Sequence, residues 1–326
     1  MSANGTMRVL GGDDVDALIN AGLAFEAARA AAVAVAANEV VTGRVQVNSG
    51  ASWMRILAGM ISSLDLLGYK EFHRVGTHVR YHVHLFREST GEPLGIVDGR
   101  RVTSLRTAAT AAVAAEHWIA GRGDVRLGIV GSGEEAREGL RALTGALQVT
   151  DARVYSPTRA HREAFAREMS TETGCAVVPV PSVAAALDAV EIAYIATSSQ
   201  ESPFLTMEHT QDIGLLLAIG STRPEHRELE GSVFVGAALV VVDTPDALHE
   251  AGDSIAATES GFDPSTALLL GQYLETVPAI ATAHVLFKSI GSVEQDLVLA
   301  HHLLAEAERV GAGYSIDSVA SLRVMR

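Results

Sequence analysis

The chain has 326 residues, 48% of them hydrophobic but only 5% aromatic, so it is long enough for about two domains with largely aliphatic cores. Its formal net charge is −14 and it has no long basic run, which argues against nucleic acid as a main partner, because neutralising phosphates takes clustered Lys and Arg. Cys175 stands alone, so no disulfide can form within the chain and a reducing, cytoplasmic location is expected. No signal peptide and no membrane span are expected either, since no uncharged apolar run approaches the roughly 18 residues a span needs.

In chain order, residues 13 to 38 read as helix, with an Ala-rich run from Ala27 to Ala37. Residues 44 to 98 change character. Trp53–Leu57, Tyr69–His73 and His78–Phe86 look like strands. In the last of these, Val79, Tyr81, Val83 and Leu85 alternate with Arg80, His82, His84 and Phe86, close to period two. Ser89-Thr90-Gly91-Glu92 then reads as a hairpin turn into a strand over Pro93–Val97. A mainly antiparallel sheet therefore comes first. His82 and His84 share a strand face, as a metal pair does, but no Cys or carboxylate cluster accompanies them and no metal is assigned. They suit a lining or seam position, and His82 a place near the site. From Thr103 a helix runs through Ala115.

From Arg126 the pattern becomes strand, helix, strand, helix. Strands are expected over Arg126–Val130, Arg153–Ser156, Ala176–Pro179, Ile192–Ala196, Leu215–Ile219 and Leu239–Val242, with helices such as Arg159–Met169 and Ser182–Asp188 between them. That alternation implies a parallel sheet with helices on both faces. The first of these strands runs into Gly131-Ser132-Gly133-Glu134-Glu135-Ala136, the G-x-G-x-x-A form of the dinucleotide fingerprint. Gly131 allows the tight turn, Gly133 lets backbone approach a pyrophosphate, and Ala136 lets a helix pack close to the strand. The diphosphate would sit on free N–H groups at the helix N-terminus.

The second strand ends at Tyr155-Ser156, about 23 residues beyond Gly133, where an Asp or Glu usually holds a free ribose 2′-hydroxyl. Here the tip carries Ser156, Pro157, Thr158 and Arg159. Hydroxyls and a cation suit a 2′-phosphate, so NADP(H) is favoured over NAD(H). Thr197, Ser198 and Ser199 end a strand at the C-terminal edge of the sheet, where ribose and nicotinamide contacts are expected. The last segment, Val285 to Arg309, reads strand, turn, helix. Ser292 and Gln295 have the spacing of a capping box, and the helix returns the chain to its first domain. The expected division is residues 1–115, joined by 295–326, and residues 116–294.

Several of these pieces together resemble the ornithine cyclodeaminase/mu-crystallin family. The resemblance runs from about residue 40 to residue 312. It rests on Thr90-Gly91-Glu92-Pro93-Leu94-Gly95-Ile96-Val97-Asp98-Gly99, on Thr103-Ser104-Leu105-Arg106-Thr107-Ala108-Ala109, and on the Gly131 loop that follows. Ala196-Thr197-Ser198-Ser199, Gly220-Ser221-Thr222-Arg223-Pro224 with Arg227-Glu228-Leu229, Glu250-Ala251-Gly252-Asp253 and Phe287-Lys288-Ser289-Ile290-Gly291 continue it. The resemblance implies a doubly wound Rossmann domain and a smaller α+β domain whose mainly antiparallel sheet forms a homodimer through a closed barrel across the two-fold axis. It also implies a site between the domains for a small amino or imino acid, with hydride passing to or from nicotinamide C4.

By the same resemblance, Arg44, Lys70 and Arg106 match the family's carboxylate-binding and active-site cations, with Arg55 a possible substitute for Arg44. Arg106 is expected near a helix start, whose partial positive field would help it. Asp296 matches a family carboxylate near the nicotinamide end. Thr107, Gly220, Ser221 and Gly291 join the cofactor set, with Ser289 to Gly291 closing over the nicotinamide. The informative departure is Thr222, which stands where the cyclodeaminases carry Asp. A neutral hydroxyl can neither hold a second ammonium by charge nor act as a base near neutral pH. The sequence therefore looks like the mu-crystallin branch. An NAD(P)H-dependent imine reductase or amino-acid dehydrogenase is expected. A cyclodeaminase with catalytic NAD, or a non-catalytic binder of nucleotide and carboxylate, are the alternatives.

Overall fold

The computed structural model describes residues 6–120, 123–198, 202–277 and 284–317. The chain divides into two compact units: Met1–Arg106 with Ser292–Arg326, and Thr107–Gly291. The division falls inside one helix, earlier than the sequence boundary at 115/116.

The first unit contains, in order, β1 (Thr6–Leu10), α1 (Gly12–Leu18), α2 (Ala21–Ala36), β2 (Val40–Ser49), β3 (Ser52–Ile61), β4 (Leu66–Val75), β5 (His78–Arg87) and β6 (Pro93–Asp98). Helix α3 (Gly99–Ile119) carries the chain out of it. The second unit holds β7 (Val125–Val130), α4 (Glu134–Ala146), β8 (Val149–Tyr155), α5 (Arg159–Thr173), β9 (Ala176–Pro179), α6 (Val183–Leu187), β10 (Ile192–Ile195), α7 (Met207–Thr210) and β11 (Leu215–Ala218). It continues with α8 (Gly231–Gly236), β12 (Leu239–Val242), α9 (Ala247–Glu250), α10 (Gly252–Glu259), β13 (Leu268–Leu269), α11 (Leu270–Leu274) and β14 (Val285–Lys288). Helix α12 (Val293–Val310) and β15 (Tyr314–Asp317) then complete the first unit.

In the first unit a seven-stranded sheet runs β15-β1-β6-β5-β4-β3-β2. It is antiparallel throughout except where β1 pairs parallel with β6. Helix α12 lies along one face. Gly59 and Gly68 make that possible: a Cβ at Gly59 would stand 2.8 Å from Val293 Cγ1, and one at Gly68 would stand 2.7 Å from Leu297 Cδ2. The helix therefore sits closer to the strands than any side chain at those two positions would allow.

Three expectations for this unit need correction. Residues 13 to 38 are two helices at 98°, not one. Asn20 breaks the run, its side chain accepting a hydrogen bond from the Leu23 N–H at 2.9 Å to cap α2, a cap the surrounding alanines conceal. Strands β1 and β2 were missed. In β2 the alternation of Val45 and Val47 is interrupted upstream by Gly43, a residue that weakens strands. Helix α3 starts a turn before Thr103, because Asp98 Oδ1 accepts from the N–H groups of Arg100 and Arg101 at 3.2 and 3.3 Å.

The second unit is an eight-stranded sheet, β13-β12-β14-β11-β10-β7-β8-β9, in which every pairing is parallel. Strands β10, β11 and β14 are buried along their whole length, as expected of parallel strands covered on both faces. From β7 the order proceeds one way through β8 and β9, and the other way through β10 and β11. The switch point of a doubly wound sheet thus lies between β7 and β10, and ligands of such sheets bind beyond the C-terminal strand ends there.

Candidate functional site

In the first unit the register of the sheet lines up one group of cations. Arg44 on β2 stands opposite Leu57 on β3, which stands opposite Lys70 on β4. Residues directly opposite share a face, and this is the face α12 covers. Arg55 lies one pleat along the same face, with its guanidinium 5.7 Å from the Phe72 ring centroid and hydrogen-bonded to Gln46 Oε1. Lys70 Nζ lies 5.6 Å from the same ring and 5.7 Å from the Tyr81 ring.

Lys70 is 3% exposed and Asp296, in the first turn of α12, is 1% exposed. The Lys70 ammonium donates to both Asp296 oxygens, at 3.0 and 3.1 Å, and to Thr103 Oγ1 at 2.7 Å. The Thr103 hydroxyl in turn donates to the Gly99 carbonyl. Arg106 joins the cluster, with Nε 3.4 Å from Asp296 Oδ1 and Nη1 donating to Gln295 Oε1 at 3.2 Å. Two cations therefore share one buried carboxylate, which leaves a net positive charge among these three groups.

Several expectations change here. Arg106 is not at a helix start but past the second turn of α3, where the terminal field has faded. Helix α12 does begin after Ser292, but without the capping box: Ser292 makes no side-chain cap bond, and the Gln295 side chain is taken by Arg106. His82 lies on the other face of the sheet from Lys70, opposite Glu71. There the Glu71 carboxylate meets His82 Nδ1 at 2.5 Å and His73 Nδ1 at 3.3 Å. Burial pushes this carboxyl up, but the two imidazole hydrogen bonds outweigh it and leave Glu71 below its ordinary range. Asp296, matched by resemblance to the nicotinamide end, is bound to Lys70.

In the second unit the turn after β7 is held from two sides. The Gly131 N–H donates to the Tyr155 carbonyl at 2.9 Å. Gly131 has φ +121°, and a Cβ there would collide with the Ala196 carbonyl oxygen. Only glycine fits, both in conformation and in space. Gly133, one residue before α4, faces open space, with nothing within 4 Å of where a Cβ would stand. Ser132 and Glu134 flank it, and Ala136 is fully buried under the sheet side of α4. A clear approach to backbone N–H groups at a helix N-terminus, beside a buried small residue, fits a dinucleotide diphosphate.

At the tip of β8, Ser156 is buried and its hydroxyl donates to the Thr158 carbonyl at 3.4 Å. Thr158 precedes α5, and Arg159, 81% exposed along its side chain, pairs with Glu163 at 2.6 Å. Arg162, which sequence reading passed over, donates to the Ser156 carbonyl at 2.9 Å. Thr107 is buried in α3. Ser198 follows Thr197 beyond β10, and Ser199 lies outside the described residues. Thr222 is exposed, beside buried Ser221. The Asp243 carboxylate accepts from Ser289 Oγ at 2.7 Å and from the Gly291 N–H at 2.8 Å, fixing the turn after β14.

The sequence also gave no role to a second buried charge cluster, Glu228, Asp253 and Lys288, each fully buried. These residues are scattered along the chain with no periodic spacing. The available signal was their place in three of the motifs that carry the resemblance, Arg227-Glu228-Leu229, Glu250-Ala251-Gly252-Asp253 and Phe287-Lys288-Ser289-Ile290-Gly291. Glu228 Oε1 accepts from the Thr197 N–H and hydroxyl at 2.8 and 2.6 Å, and Oε2 accepts from the Ser221 N–H at 3.0 Å. Asp253 Oδ1 accepts from the Glu228 and Leu229 N–H groups, and Asp253 Oδ2 lies 3.3 Å from Lys288 Nζ. Burial pushes the Glu228 carboxyl up to about 7, against the pull of Lys288 and the Thr197 hydrogen bonds.

Residues 69–308 match the ornithine cyclodeaminase/mu-crystallin family. The chain belongs to that family. It is 32% identical over 222 residues to ketimine reductase mu-crystallin of Mus musculus, covering 67% of this chain and 66% of that protein. It is 27% identical over 275 residues to Delta(1)-pyrroline-2-carboxylate reductase of Bacillus thuringiensis subsp. konkukian (strain 97-27), covering 80% and 84%. The fold is shared with Thermococcus litoralis Delta(1)-pyrroline-2-carboxylate reductase, solved in complex with NADH and L-proline, at TM-score 0.85 and 23% identity over 94% of this chain and 99% of that one.

Proposed function

We propose that this protein reduces the C=N bond of a small imino acid with NAD(P)H, the reverse direction being oxidation of the amino acid. The observation that carries the reading is the buried Lys70–Asp296–Arg106 cluster, which brings an ammonium and a guanidinium together around one carboxylate. Arg106, whose planar fork can hold both oxygens of a carboxylate, and Arg44, on the same sheet face as Lys70, would bind the substrate's carboxylate. Lys70 would handle the proton at the reacting nitrogen. Asp296 and Thr103 hold its ammonium in place, so its position does not depend on the substrate. Gly131, Ser132, Gly133, Glu134 and Ala136 would hold the dinucleotide, which when bound supplies hydride from nicotinamide C4. The reductase names of the murine and Bacillus relatives support the reaction class.

Thr222 offers no charge for a second ammonium, so cyclisation of a diamino acid lacks the group it would need. For the cofactor, NADP(H) is the preferred form. The β8 tip carries Ser156, Thr158 and Arg159 and no Asp or Glu, which supports a 2′-phosphate over a free 2′-hydroxyl. The Arg159–Glu163 pair is solvent-exposed and therefore weak, so the guanidinium can exchange Glu163 for a phosphate. A cytoplasmic location remains the reading of the lone cysteine.

We also propose a homodimer. Val41, Val45 and Val47 of β2 and Met54 and Met60 of β3 point to the sheet face away from α12 and are exposed. A contiguous exposed apolar face of this kind marks an interaction surface, and a second copy can cover it symmetrically.

The test is loss of NADPH or NADH absorbance with a panel of cyclic imino acids and with pyruvate plus ammonia. Turnover of at least one is expected. Tight nucleotide binding without turnover of any would sink the reading. Lys70→Ala should cut turnover by about 10²–10⁴-fold while leaving nucleotide affinity unchanged; retained turnover would remove Lys70 from the proposed chemistry.

A further inference from the structure

We infer that Glu228 is a positioning residue for the nucleotide turn, acting through the tips of β10 and β11. This rests on the nucleotide reading of the Gly131 turn. One carboxylate spans two loops. Its first oxygen takes the N–H and hydroxyl of Thr197, just beyond β10, and its second takes the Ser221 N–H, just beyond β11. Both loops lie at the C-terminal edge of the sheet, next to the switch point. The contact continues from there. Ala196 adjoins Thr197, and its carbonyl oxygen rests against Gly131 so closely that no side chain fits between them. Gly220 meets Glu228 and the Thr197 carbonyl in the same way, since a Cβ there would stand 2.5 Å from that carbonyl oxygen. The route from Glu228 to the turn is therefore backbone packed on backbone.

The carboxylate is itself held rigidly. Asp253, in the first turn of α10, fixes its backbone by accepting from the N–H groups of Glu228 and Leu229 at 2.7 and 3.0 Å. Lys288, at the end of β14, closes the cluster at 3.3 Å from Asp253. The charged groups facing Glu228 are thus Asp253 and Lys288, and its other partners are the neutral donors of Thr197 and Ser221. A cluster with no exposed atoms touches neither solvent nor substrate, which leaves placement of the loops as its contribution to binding.

The experiment measures NADPH and NADH dissociation constants by fluorescence titration on wild type, Glu228→Gln and Glu228→Asp, with steady-state kinetics alongside. An amide at 228 presents an NH2 group to one of the N–H donors it should accept from. The nucleotide constant should rise about tenfold or more, in the range set by one unsatisfied buried donor. KM for nucleotide should rise with it while kcat at saturation stays within about twofold, because only binding is affected. Glu228→Asp keeps the charge but is one methylene short, so it should raise the constant less; it also serves should the Gln variant fail to fold. Glu191→Gln, which breaks the Arg126 ion pair at the opposite end of the strands, should leave the constant unchanged. Folded Glu228 variants with wild-type nucleotide constants, or a Glu191→Gln loss as large as theirs, would overturn the inference. A wild type that binds neither nucleotide would overturn the nucleotide reading itself, and the inference with it.

Discussion

At the scale of single residues, burial decides what each charge can do. Lys70 and Asp296 are both nearly inaccessible, and removing the Asp296 charge takes away the carboxylate that Lys70 and Arg106 share. Asp296→Asn should therefore destabilise the protein by about 3–5 kcal/mol in chemical denaturation, the usual cost of breaking a buried pair. An effect no larger than that of an exposed pair such as Arg309–Glu306 would contradict the burial argument. Glu228 makes a prediction in pH. Its folded pKa of about 7 lies above the ordinary 4.5, so folding binds its proton more tightly than the unfolded chain does. The stability this contributes is fully present below about pH 4.5 and is lost as pH rises through about 7. The melting-temperature difference between wild type and Glu228→Gln should shift against wild type across that window and level off above it. A difference independent of pH would refute it. Of these residues Lys70 and Arg106 were legible, because they lie in recognisable motifs. The partnership of Asp296 with Lys70 was not, since 226 positions separate the two.

At the scale of elements, close approach matters more than propensity. Gly68→Ala places a methyl against Leu297 and the His84 carbonyl. It should cost about 1–3 kcal/mol by overpacking and, by lifting α12 and with it Asp296, should lower turnover more than nucleotide affinity; equal stability and turnover to wild type would refute the account of how α12 is seated. The parallel strands were legible because each is a short apolar run between turn residues. Where the helices differ from expectation, one contact accounts for each case: Asn20 capping α2, Asp98 capping α3, and Gln295 drawn to Arg106 rather than to its own helix end. Propensity describes a run of residues. It does not register a single hydrogen bond that starts or stops one.

For the molecule as a whole, the exposed valines of β2 carry the prediction. Val45→Lys with Val47→Lys should yield monomers in sedimentation velocity, whereas a wild type that is already monomeric at micromolar concentration would remove the proposed dimer. The formal net charge of −14 disfavours non-specific association, so association that these two substitutions abolish would point to the proposed apolar face.

By itself the sequence determined the two kinds of sheet and the glycine turn after the first parallel strand, because each is written in a local pattern: period-two alternation, short apolar runs, and glycines at fixed spacing; the cations were reached only through the resemblance to the family. Only the tertiary structure decided which charges meet. Asp296 comes to Lys70 when α12 returns to the first unit, and Glu228, Asp253 and Lys288 converge at the strand ends of the second. Such pairings depend on which strands lie side by side and how closely a helix can approach them, and no spacing along the chain encodes either.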